Sequence, residues 1–324
     1  MMALLEISDL QVSFDTAAGR ILALNGVSFS LERGEVLALL GESGSGKSVT
    51  AAAIMDLIPD PPGAIDEGSI RFDGSDLLQL SCNDRRDLCG ERIALIFQDA
   101  LAALNPVYPI GWQIAEMFRI HDRTPAGGID KAVLDLLTAV GIPDPVERAK
   151  QYPHEFSGGM RQRIMIAMAV ALEPDIIIAD EPTTALDVTI QAQIVDLLDR
   201  IRKRSDAGMI FITHDLGVVA ELADRVAVMY AGRIVETASV FELFDDARHP
   251  YSLGLLASQP RIDSQESELV PIPGSAPNPI ALPSGCAFRP RCPHAQELCE
   301  NVVPPLQSVG YGRQAACHFP VSQA

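Results

Sequence analysis

The chain has 324 residues, long enough for more than one ordinary domain, and 43 acidic against 25 basic residues leave a formal charge of −18. That balance excludes a broad electrostatic grip on DNA, RNA or anionic lipid, so no nucleic-acid partner is expected and membrane contact has to run through protein. No apolar run approaches the roughly 18 residues of a membrane helix. The N-terminus carries Glu6 and Asp9 and lacks the basic start of a secretory signal, which predicts a cytosolic chain.

Leu5, Ile7, Leu22 and Leu24 alternate with polar positions, as half-buried antiparallel strands do. Glu35 to Leu40 reads as a fully apolar strand, and a Gly-rich turn then opens a helix from Lys47 to about Leu57. Pro59 to Gly63 is a loop, followed by short strands around Ile70 and from Ile93 to Phe97. The stretch from Cys82 to Cys89 reads as a charged loop whose two thiols need no function. Helical patterning runs from Ile110 to Ala149, clearest from Ile129 to Val140. Beyond Ser157 the order is helix 160–172, strand 175–180, helix 189–204, strand 209–213, helix 216–222, then strands near 226–230 and 233–236. Alternating helix and apolar strand predicts an α/β fold with a parallel sheet covered on both faces. Residues 259–285, rich in Pro, Ser and Gly, read as a linker or extended wrap.

Three motifs carry chemistry. Gly41-Glu42-Ser43-Gly44-Ser45-Gly46-Lys47-Ser48 matches G-x-x-x-x-G-K-S between a strand and a helix. Glycines let backbone amides wrap phosphates at a helix N-terminus; Lys47 reaches the β- and γ-phosphates and Ser48 sits on Mg²⁺. Asp180-Glu181 ends an apolar strand, with Asp180 suited to Mg²⁺ and Glu181 to polarising an attacking water as general base. Ser157-Gly158-Gly159 opens a helix and reads either as a second anion site or as a plain helix cap. Two chains related by a two-fold axis would complete two composite sites, each phosphate cradle closed by the partner chain's copy of this tract.

With these motifs in this order the chain resembles the ATP-binding cassette ATPases over residues 4 to about 240, with Met160 where that family commonly has Gln. The resemblance implies a cassette with a P-loop core and parallel sheet, an N-terminal antiparallel β subdomain and a helical subdomain at about 100–160. It also implies roles for single residues: Phe14 stacks on adenine, Gln98 senses Mg²⁺ and couples to membrane subunits, Asp187 is the D-loop acid, and His214 contacts the γ-phosphate. A narrower resemblance is to the ATPase subunits of oligopeptide, dipeptide and nickel importers. It rests on 98–106, on 214–219 and 229–233, and on His249-Pro-Tyr-Ser-Leu-Gly-Leu-Leu followed by Pro271-Ile-Pro-Gly-Ser. From it follow the expected domains, a nucleotide-binding domain over 1–255 and a C-terminal extension over 256–324. It further implies a peripheral place on the cytoplasmic face of the membrane, two transmembrane permease subunits, a second ATPase subunit in a heteromeric pair, and an extracytoplasmic solute-binding protein. A soluble ABC ATPase of translation or DNA repair is the rival reading.

The last 40 residues hold Cys286, Cys292, Cys299 and Cys317, spaced x5, x6 and x17. Four thiolates suit tetrahedral zinc or a 4Fe–4S cluster. The lack of a tight C-x2-C tilts against zinc, and in the importer ATPases that the chain resembles these positions match the ligands of a 4Fe–4S cluster. His294 and His318 read as bystanders. The expected cofactors are therefore ATP, Mg²⁺ and a 4Fe–4S cluster, with Zn²⁺ as the alternative.

Overall fold

A computed structural model describes residues 3–184, 186–258 and 271–321. In chain order the first elements are β1 (Leu5–Thr16), β2 (Gly19–Leu31), β3 (Val36–Leu40), α1 (Lys47–Ile54), β4 (Gly63–Phe72) and β5 (Ser75–Asp76). Next come α2 (Cys82–Leu88), β6 (Ile93–Ile96), α3 (Ala100–Ala103), α4 (Ile110–Ile120), α5 (Ile129–Ala139) and α6 (Pro145–Arg148). Then follow α7 (Gly158–Ala169), β7 (Ile176–Asp180), α8 (Val188–Ser205), β8 (Gly208–Thr213), α9 (Leu216–Leu222) and β9 (Arg225–Tyr230). The last are β10 (Arg233–Ser239), α10 (Val240–Asp246), α11 (Pro250–Ala257), α12 (Leu298–Asn301), β11 (Gln307–Gly310) and β12 (Arg313–Ala315).

The chain sorts into two compact units, one drawn from 1–31, 35–78 and 213–324, the other from 32–34 and 79–212. In the first unit β2, β1, β4 and β5 form an antiparallel sheet. Leu5, Ile7, Leu10 and Val12 of β1 are buried, and Leu5 lies opposite Leu31 on one side and Phe72 on the other. The same unit carries β3 parallel to β9, with β10 antiparallel to β9. All five residues of β3 are buried, which explains its unbroken apolar sequence. The C-terminal tail extends this run, because β12 pairs with β10 and β11 pairs with β12. Glu236 of β10 is buried and accepts the N–H groups of Arg248 and His249 at 2.7 and 2.8 Å, fixing the entry to α11.

In the second unit β6, β7 and β8 run parallel. Ile110, Ile114 and Phe118 of α4 and Val133 and Leu137 of α5 are buried at helical spacing. Asp175, at the entry to β7, accepts Arg33 Nη1 at 2.7 Å and Arg92 Nε at 2.7 Å.

Several local expectations change. The stretch from 82 to 89 is not a loop: Ser81 caps α2 by accepting the Asp84 N–H, and of its four charged residues Asp84, Arg86 and Asp87 are exposed while Arg85 is buried. The helix after the phosphate loop ends at Ile54, three residues short of Leu57. Helices α10 and α11 were unread in the chain, and β10 runs on to Ser239. Of the expected linker, 259–270 lies outside the described residues, while 271–285 holds neither helix nor strand.

Candidate nucleotide site

The loop from Gly41 to Ser48 joins β3 to α1. A Cβ on Gly41 (φ 156°) would stand 2.3 Å from the Met229 carbonyl oxygen, so the loop passes β9 at a distance that only glycine permits. Gly46 caps α1 without a side chain, and no carboxylate of its own competes for the helix N-terminus. Lys47 is buried, and its Nζ donates to the Gly41 and Glu42 carbonyls at 2.8 and 3.1 Å. That holds the ammonium over the loop. The Ser45 hydroxyl is buried with no hydrogen-bond partner, an orphan that a phosphate oxygen would satisfy. Phe14 lines one cavity with Ser43, Gly44, Ser45 and Gly46; its volume of about 450 Å³ suits a nucleotide-sized ligand.

In the second unit β7 ends on Asp180, half-buried, and the next residue turns sharply. Glu181 takes φ 46°, a left-handed value rare outside glycine. Its N–H donates to the Ile212 carbonyl at 2.9 Å. Glu181 Oε2 accepts Gln98 Nε2 at 3.0 Å and Thr184 Oγ1 at 2.9 Å. Gln98 arrives there because β6 is the parallel neighbour of β7. His214 is exposed directly after β8, and Asp215 caps α9 by accepting the Gly217 N–H at 2.8 Å.

Ser157 does cap α7, accepting the Met160 N–H at 3.4 Å, yet Ser157 and Gly158 stay exposed. Asp187 caps α8 by accepting the Ile190 N–H at 3.0 Å, also exposed. Phe14 and 41–48 therefore share one unit with His214, while Gln98, Asp180, Glu181, Ser157 and Asp187 belong to the other. Reading the sequence missed Thr184, although it lies in the Asp-Glu-Pro-Thr-Thr run.

The family model for ABC transporters matches residues 24–184, and that for the oligopeptide/dipeptide transporter C-terminal region matches 235–299. The oligopeptide transport ATP-binding protein OppD of Bacillus subtilis (strain 168) is 53% identical over 307 residues, covering 94% of this chain and 86% of that protein. The chain belongs to the ABC transporter ATP-binding proteins. The dipeptide transport ATP-binding protein DppD of Escherichia coli (strain K12) is 45% identical over 323 residues, covering 100% of this chain and 98% of that one. A dimeric ATP-binding cassette solved in a post-hydrolysis state with ADP and Pi is similar at 25% identity and a TM-score of 0.65, over 73% of this chain and 98% of that one. The α/β cassette fold expected from the motifs is the fold observed.

This ABC protein adds a tail to its cassette. Cys286, Cys292, Cys299 and Cys317 line one cavity together with His249, His294 and His318, and the Cys286 N–H donates to the Cys299 carbonyl at 2.8 Å. Burial, reinforced by neighbouring cysteines, pushes the Cys286, Cys292 and Cys317 thiols up, Cys317 to about 11. Among the described residues no three His, Cys, Asp or Glu side chains are gathered as a finished metal site. No helix among them is long and apolar enough to cross a membrane.

Proposed function

We infer that this chain is the ATP-binding and ATP-hydrolysing subunit that powers an ABC importer for peptides. The observation that carries the ATPase half is Glu181, a strand-end carboxylate steered by Gln98 and Thr184 in a chain with a complete phosphate loop. The peptide half rests on the match of the C-terminal region and on OppD and DppD, named for oligopeptide and dipeptide transport.

The roles follow from the chemistry. The amides of 41–46, Lys47 and the Ser45 hydroxyl bind the phosphates, with Phe14 beside the base. Ser48, Asp180 and Gln98 supply the oxygen ligands that suit Mg²⁺, which when bound neutralises charge on the phosphates. Glu181 polarises the attacking water, and His214 approaches the γ-phosphate. Ser157, Gly158, Gly159 and Asp187 serve the nucleotide of a second cassette, which we take to be a related chain. We read the domains as a nucleotide-binding domain over 1–255 and a C-terminal extension over 256–324.

Two permease subunits anchor the protein peripherally on the cytoplasmic face of the membrane, and a solute-binding protein delivers the cargo outside. Support for permease docking comes from the apolar surface beyond Gln98. Leu101, Val107, Tyr108 and Trp112 are 53, 68, 41 and 39% exposed, an unusual density of large apolar side chains in water. The four tail thiols share one cavity, and their chemistry fits a 4Fe–4S cluster that would tie the tail down, with zinc as the alternative. Anaerobically purified protein should carry about four iron and four sulfide per chain; stoichiometric zinc without sulfide would leave the alternative standing.

The deciding experiment is uptake of labelled dipeptides, longer peptides and nickel in cells lacking this chain and then complemented. Recovery of peptide uptake is expected. Recovery of nickel alone would move the cargo, and no uptake response together with loss of membrane fractionation would favour a soluble ABC ATPase.

A further inference from the structure

The phosphate loop has a partner far along the chain. Glu42 is the one acidic residue between Gly41 and Ser48. Left uncompensated, it would put negative charge on the loop that must gather a polyphosphate, and like charges in one site oppose binding. Compensation comes from 249 positions away. Arg291 Nη1 donates to Glu42 Oε2 at 2.7 Å, and Nη2 donates to Oε1 at 2.9 Å. Such a fork fixes both the place and the direction of the carboxylate.

The arginine is itself held tightly. Its side chain is 6% exposed. Nε donates to the Pro273 carbonyl at 3.0 Å, and Nη1 also reaches the Tyr230 hydroxyl at 3.4 Å. The Tyr230 and Phe288 rings lie 5.9 and 6.0 Å from the guanidinium carbon. Tyr251 completes the grip, its hydroxyl accepting the Glu42 N–H at 2.9 Å. A buried ion pair adds little to folding stability compared with apolar packing of the same volume. Anchoring the tail therefore does not by itself call for an arginine here, whereas an acid on an anion-binding loop does.

We propose that Arg291 is a positioning residue for nucleotide binding, which neutralises Glu42 and holds the phosphate loop in its anion-accepting shape. The inference rests on the ATP reading above. Because Arg291 lies between Cys286 and Cys292, the same fork links the cysteine cavity to the phosphate loop.

The test is calorimetric binding of MgATP to the full chain with its tail intact. Arg291→Met, which keeps an unbranched apolar stem but removes the guanidinium and its charge, should raise the Kd about tenfold. Adding Glu42→Gln to that variant should lower the Kd again by about threefold or more, since the repulsion then has no source. A tail anchor alone would show no such recovery. An unchanged Kd in Arg291→Met, or a double variant as weak as the single one, overturns the proposal. If Arg291→Met does not fold, Arg291→Lys keeps the charge and loses the fork. Its expected weakening is about threefold, with the same recovery on adding Glu42→Gln. Wild-type protein that fails to bind MgATP would instead sink the ATP reading itself.

Discussion

Glu181 is exposed to two opposite demands, and its surroundings show which one prevails. A general base has to reach solvent, yet it must not wander. Its left-handed backbone, at a cost on the order of 1 kcal/mol or more, breaks the chain from β7, and Gln98 and Thr184 hold one carboxylate oxygen in place. Replacing that carboxylate with an amide keeps the hydrogen-bonding shape and removes the basicity. Glu181→Gln should therefore bind MgATP with an affinity close to wild type and lose turnover by about 10² to 10⁴. Single-turnover hydrolysis beside equilibrium binding separates the two effects, and robust hydrolysis would take Glu181 out of its role. At this scale 41–48, Asp180 and Glu181 are legible in the sequence as candidates, because each belongs to a pattern set by its neighbours in the chain. The sequence was silent on Arg291, because the pairing with Glu42 spans 249 positions and Arg291 belongs to no local motif.

Elements show the same division between local and distant causes. The strand β3 was legible because five buried residues leave no polar position to confuse the reading. Helix α2 was not: a short run of charges looks like a loop until the Ser81 cap is seen. Helix α10 starts on a reciprocal cap between Ser239 and Glu242, and the entry to α11 depends on Glu236, a buried acid on β10 that accepts the N–H groups leading into it. The entry to β7 offers a test of how such anchoring works. Burial alone would raise the Asp175 carboxyl, but hydrogen bonds and charge from Arg33 and Arg92 outweigh it and hold the group below its ordinary value. A depressed carboxylate adds stability above its unfolded pKa and gives it up as pH falls through the folded one. The arginines are 44 and 37% exposed, so solvent screening limits the contribution to about 1 kcal/mol. Asp175→Asn should show that loss in urea unfolding at neutral pH. The gap to wild type should narrow as pH falls below about 4; a gap that holds constant would mean packing, not charge, fixes this corner.

At the scale of the whole molecule the unanswered feature is the exposed start of α7. Ser157 satisfies one N–H of its own helix, so the cap alone explains that residue and predicts nothing for Gly158. The two glycines that follow differ in what surrounds them. A Cβ on Gly159 would meet Ile190 at 2.9 Å, so this glycine serves the packing of α7 on α8. Among the described residues a Cβ on Gly158 would meet Leu186 alone, at 3.9 Å, an ordinary van der Waals contact, so none of them calls for glycine there. Nearby, Val188 stands 80% exposed beside Asp187, an apolar side chain that a packed partner would cover. Both observations are answered if a second cassette packs here and offers its nucleotide to the helix N-terminus. Gly158→Glu distinguishes the cases. On its own helix an acid at the first turn is favourable by about 0.3–1 kcal/mol, so unfolding of the isolated chain should be unchanged or slightly later. Facing a partner's triphosphate, the same acid brings like charge to like charge. In the assembled transporter ATP turnover should then fall about tenfold or more. Turnover that survives would show that each cassette closes its own site, and the pairing would lose its support.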